Sequence, residues 1–141
     1  MNGYLEELDR TGNSLMIYSG GRLIFQSASK GVRPHLEAID MHGEALRGTL
    51  MVDKIVGRAA ALLILYSDAA ETHAQVLSRP GKQVLDMHGL PTEYVELVDH
   101  IKMKDGSIYC PFERMVQGVT DPGEAYAAII DKMGSLTEQA S

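Results

Sequence analysis

The sequence of 141 residues has a single cysteine, Cys110, and a shortage of basic charge: 13 Lys and Arg against 19 Asp and Glu, a net charge of −6. One cysteine excludes an internal disulfide and fits a reducing, cytoplasmic setting. The deficit of Lys and Arg argues against general nucleic-acid binding, which needs basic patches. Long apolar runs are missing as well. The longest, Ala59 to Tyr66, is far too short to span a bilayer, so no membrane partner is expected. Met1-Asn-Gly-Tyr-Leu-Glu-Glu turns acidic at once, and no signal peptide is expected. There is no glycine-rich phosphate motif, no internal repeat, and no Met stripe among the eight methionines.

What remains is ordinary for one soluble globular domain: 45% hydrophobic and 23% charged residues. A single domain over 1–141 is expected, with 134–141 as a frayed tail. Tyr4, Leu5 and Leu8 have helical spacing, ended by Thr11-Gly-Asn13. Ser14 to Ser19 and Arg22 to Ser27 read as strands joined at Gly20-Gly21, a hairpin signal because both positions tolerate positive φ. Gly31 to Gly48 reads as a helix opened by Pro34, and Asp53 to about Tyr66 as a helix apolar nearly all round, fit for the centre of a domain. Thr72 to Leu77 reads as a strand, Gly81 to His88 as a helix, and Tyr94 to Val98 as another strand or an irregular edge. Two more helices run from Cys110 to about Gly118 and from Asp121 to about Met133. A hairpin followed by helix–strand alternation predicts a three-layer α/β/α sandwich on a mixed sheet.

Chemistry concentrates in Ile108-Tyr-Cys-Pro-Phe-Glu113. Pro111 favours the first position of a helix, and Glu113 falls where a carboxylate reaches free backbone donors. A thiol at Cys110 would meet the positive end of the helix dipole, which favours thiolate. Asp53 and Lys54, with Arg58 a turn later, are read as the head of the central helix. Two helix heads, at Asp53 and Cys110, are then expected to converge on one pocket. Asp53, Lys54, Arg58, Cys110 and Glu113 would line it and attract a small polar or anionic ligand. The plain alternatives stand beside this: Cys110 as a buried small hydrophobe, Asp53 and Glu113 as helix caps, and Lys54 and Arg58 as a solvated face or ion-paired with Asp53 or Glu113. No two of His35, His42, His73, His88 and His100 have metal-ligand spacing within one helix; His100 could approach Cys110 but reads as a surface residue.

Leu8-Asp9, Asn13-Ser14-Leu15, Tyr18-Ser-Gly-Gly-Arg22, Gly31-Val32-Arg33-Pro34, Val52-Asp-Lys-Ile-Val-Gly-Arg-Ala-Ala-Ala61 and Cys110-Pro-Phe-Glu113 together resemble a bacterial family of unknown function. That resemblance spans roughly residues 5 to 118 and implies a fold like that of cytidine deaminase, without implying deaminase activity. Zinc deaminases carry His or Cys, any residue, then Glu at the head of one helix, and Pro-Cys-x-x-Cys at the head of the next. If Cys110 matches the first of those cysteines, Glu113 takes the second position. Asp53 then supplies either the ligand or the proton-shuttling carboxylate, never both. No cofactor is therefore expected, and zinc in particular is disfavoured. The reading that follows is a ligand-binding module on a deaminase-like fold. The alternatives are a thiol enzyme or sulfur carrier using Cys110, and a non-catalytic oligomeric regulatory domain, a homodimer paired through edge strands.

Overall fold

The structure is a computed structural model that describes residues 2–101 and 111–140, with the backbone alone over 135–140. Its elements are α1 (Gly3–Thr11), β1 (Leu15–Ser19), β2 (Arg22–Ser27), α2 (Arg33–His42) with a 3₁₀ turn over Gly43–Leu46, β3 (Leu50–Val56), α3 (Arg58–Tyr66), β4 (Glu71–Ser78), α4 (Arg79–Met87), β5 (Thr92–Val98), α5 (Pro111–Met115) and α6 (Pro122–Ala140). The five strands form one sheet in the order β2-β1-β3-β4-β5. β1 runs antiparallel to both of its neighbours, whereas β3, β4 and β5 are mutually parallel. No helix among the described residues is long and apolar enough to cross a membrane.

Local sequence explains most of the boundaries. The Asn2 side chain caps α1 by accepting from Leu5 N at 2.9 Å, and Gly12 ends that helix at φ 74°. Gly20 and Gly21 sit at φ 56° and 83°, the left-handed geometry that a two-residue hairpin turn needs. Pro34 opens α2, and Ser78 caps α4 through Gly81 N. α4 starts at Arg79 rather than Gly81, and α6 continues past Met133 to Ala140.

Alternation along the strands sorts side chains onto two faces. Leu15, Ile17, Met51 and Ala74 join the main core with residues of α2, α3, α4 and α6. Met16 and Val52 point the other way, against Leu5 and Leu8 of α1. The expected sandwich is therefore observed, with a single short helix on one face and the remaining described helices on the other. α3 lies at the heart of the thick side, and Ala59 through Ile64 are all buried.

One boundary is corrected. Asp53 and Lys54 do not open the central helix; both lie within β3, and α3 begins only at Arg58, after Gly57. β3 is held on both flanks, by β1 through Leu15↔Asp53 and by β4 through Asp53↔Ala74. Its backbone groups are thus committed to the sheet. A strand buried on both faces carries a near-continuous apolar pattern, which runs here without a break into the apolar helix behind it.

Candidate functional site

The carboxyl ends of the three parallel strands meet the head of α3. A cavity of about 40 Å³ lies there, lined by Arg58, Ser78, Pro80, His100, Glu113 and Gln117 together with Ile101. That volume has room for about three water molecules. Crevices outside the carboxyl ends of parallel strands are where α/β sheets usually place ligands. A wider, shallower depression of about 490 Å³ lies at the other end of α3, between Leu46, Tyr66 and Pro122. Its charged lining residues include Arg47 and Asp68, an exposed pair at 3.2 Å, and it gathers no buried titratable group. The chemistry favours the smaller cavity.

Gly57 offers α3 no side-chain cap. Glu113 of α5 supplies one from a distance: one carboxylate oxygen accepts from Arg58 N at 3.0 Å and the other from Ala59 N at 2.8 Å. The expected cap at Glu113 is real, but it serves α3. Burial pushes the Glu113 carboxyl above its ordinary value; the two N–H groups and the charges on Arg58 and His100 pull the opposite way without cancelling it.

Arg58 is 6% exposed. Its Nε donates to Val116 O at 3.0 Å, Nη2 to Val119 O at 2.7 Å, and Nη1 to the Gln83 side chain at 3.0 Å. Sequence suggests a cation turned toward an external anion, but this guanidinium is turned onto carbonyls, so it ties α3 to the segment after α5 and to α4.

Asp53 faces the core side of β3 and meets His35 of α2, Nε2 to Oδ2 at 2.5 Å, with both side chains buried. Its other oxygen accepts from Ile55 N at 3.3 Å. His35 Nδ1 is buried with no partner among the described residues. Lys54, one residue on, is exposed. The structure thus joins Arg58 and Glu113 at one cavity and gives Asp53 a different partner. Cys110, and with it any Cys110–His100 pair, lies outside the described residues.

His35 is the residue that sequence reasoning passed over. The spacing His35-Leu36-Glu37 follows immediately after Pro34 at the head of α2. Fitting the His-x-Glu pattern to Asp53 alone, read as a helix head, misses it; the same pattern stands intact at the head of α2.

These features define a class, an α/β/α sandwich whose candidate site sits where a helix head meets the carboxyl ends of parallel strands. The chain belongs to the TM1506 family, a domain of unknown function (DUF1893), whose model matches residues 4–133. It is similar to the crystal structure of a DUF1893 family protein, TM1506, from Thermotoga maritima. That match has 32% identity and a TM-score of 0.83, covering 94% of this chain and 92% of the other. No curated protein matches the chain.

Proposed function

We propose that this protein is a binding module on a cytidine-deaminase-like fold, one that does not deaminate and takes a small carboxylate- or phosphate-bearing ligand at the head of α3. The likeness to deaminases is supported by two helix heads beside β3. The first, at α2, carries His35-Leu36-Glu37 in the spacing that zinc deaminases use. The second, at α3, reads Gly57-Arg58-Ala59-Ala60-Ala61, with no cysteine. Glu37, which would have to shuttle protons, is exposed. His35, the one available ligand, is engaged by Asp53. A catalytic zinc centre needs three protein ligands, and these residues do not fit one.

The observation that carries the binding reading is Glu113 itself. Its two oxygens lie on the free N–H groups of Arg58 and Ala59, the donors that hold an external carboxylate or phosphate at helix heads elsewhere. The protein fills that position with its own anion, in a cavity of about 40 Å³, so a ligand enters by displacing Glu113. Thermal denaturation of the wild type and of Glu113→Gln against a panel of phosphate, sulfate, small carboxylic acids and nucleoside monophosphates tests this. Anions that raise the melting temperature of Glu113→Gln more than that of the wild type support the proposal, since binding to the folded state stabilises by mass action. If no anion shifts either protein, the proposal fails; zinc-dependent turnover of cytidine would replace it with an enzyme.

A further inference from the structure

On the other face of the sheet, beside the head of α1, three metal-ligating side chains converge. Glu71 and His73 point the same way from β4, two residues apart, and Glu93 stands opposite His73 on β5. Nε2 of His73 lies 2.5 Å from Glu71 Oε2 and 3.0 Å from Glu93 Oε2. One ligand atom from each of the three residues lies within 4.8 Å of the others. We propose that Glu71, His73 and Glu93 bind a divalent transition-metal cation of the zinc class, at a site separate from the α3 cavity.

Two independent features support an ion here over a simple hydrogen-bonded cluster. The first is charge. Among the described residues neither carboxylate has a Lys or Arg partner, and the side chain facing both is the His73 imidazole, charged only when doubly protonated. The second is the hydrogen on the imidazole. Asn2 Oδ1 is taken up by Leu5 N at 2.9 Å, so its Nδ2 faces both His73 Nδ1, at 3.1 Å, and Glu93, at 2.9 Å. Nδ1 therefore accepts, and the ring's proton sits on Nε2, shared between two carboxylates. That N–H and the neutral Asn2 amide on Glu93 leave the charge of two carboxylates unbalanced; a divalent cation at that point balances it.

The geometry suits the ion. His73 is 6% exposed in its side chain, held edge-on by the Tyr4 ring at 5.8 Å, while the Glu71 and Glu93 side chains are 44% and 60% exposed. A fixed nitrogen and two adjustable carboxylates thus face an open side from which an ion can enter. Tetrahedral zinc with bonds of about 2.0–2.1 Å spaces its ligand atoms by about 3.3 Å, so each carboxylate oxygen must draw away from Nε2 by less than about 1 Å. A solvent molecule would complete the fourth position.

Binding also sets a condition on Asn2. A metal on Nε2 moves the ring proton to Nδ1, where it meets the Asn2 amide donor instead of an acceptor. Asn2 must then turn and give up its cap on Leu5 N. An aspartate at this position would accept from both groups, and partners of this kind, behind a metal-bound histidine, change affinity by about 10–100-fold.

The test uses the full chain, stripped of metal, titrated with Co²⁺ by visible absorption and with Zn²⁺ by calorimetry. The wild type should take one ion per chain with the absorption of a tetrahedral nitrogen and oxygen site. Glu93→Gln, a change at an exposed position, should weaken binding at least about tenfold, and Asn2→Asp should tighten it by about tenfold. Absence of binding by the wild type overturns the site. Equal affinity in Glu93→Gln, or thiolate charge-transfer bands showing the ion on Cys110, overturns it as well. An unchanged affinity in Asn2→Asp would overturn the site too, since the Asn2 side chain lies directly against the His73 ring at Nδ1.

Discussion

Gly57 and Glu113 fit each other as a pair: a Cβ added to Gly57 would stand 2.8 Å from Cδ of Glu113, inside the space its carboxylate occupies. Gly57 has φ −94° and ψ −171°, extended backbone that any residue adopts. The glycine is required by the approach of the carboxylate, not by its own torsions. Gly57→Ala should therefore destabilise the protein by about 1–3 kcal/mol in urea titration. In Glu113→Ala the obstacle is gone, so the same substitution should cost less than half as much. Additive losses across that double-mutant cycle would show that the two residues do not oppose one another.

Burial is the main reason that the Glu113 carboxyl titrates above the ordinary carboxylate range. A carboxyl with a higher pKa folded than unfolded holds its proton more tightly in the folded state. Its contribution is therefore most favourable below the ordinary carboxylate value and declines as pH rises through the raised one. Glu113→Gln removes that decline. Urea midpoints collected from acid to neutral pH should show the wild type losing stability relative to Glu113→Gln as pH rises through this window. Parallel profiles would mean that the two states titrate alike.

The buried His35–Asp53 pair predicts an asymmetry. His35→Ala strands the Asp53 carboxylate in the core with the Ile55 N–H as its one remaining donor among the described residues, and breaking a buried pair in this way costs about 3–5 kcal/mol. Asp53→Ala leaves an imidazole with unmet hydrogen-bonding groups, a penalty of about 1–3 kcal/mol. Equilibrium denaturation should rank His35→Ala as the more damaging. Equal losses, or the reverse order, would contradict this asymmetry.

Sequence carried the fold further than the site. The Gly20-Gly21 hairpin, the helix opened by Pro34, the strand over Thr72–Leu77 and the edge position of Tyr94–Val98 were all legible, because each depends on local torsions or on a clean period. The junction of β3 with α3 was not. Val52, Ile55 and Val56 join Ala59 through Leu65 in one apolar stretch, and Asp53-Lys54 imitates a helix head. Only Gly57 marks the break, and it reads equally well as a packing glycine inside a helix. The site depends on contacts remote in the chain: Glu113 reaches α3 across 55 and 54 residues, and His35 reaches Asp53 across 18. Spacing rules see partners a turn or two away. They have no access to a carboxylate delivered from another element.

The place of β3 between β1 and β4 has a kinetic meaning. Neither neighbour adjoins it in sequence: the chain must pass through β2 and α2 to bring β1 alongside, and through α3 to bring β4. The β1–β2 hairpin closes a short loop within microseconds, whereas the middle of the sheet waits on two longer closures whose entropy is spent before any pairing repays it. The strand that bears Asp53 is thus recruited late, and until it arrives the apolar stretch leading into α3 is open to contact with other chains.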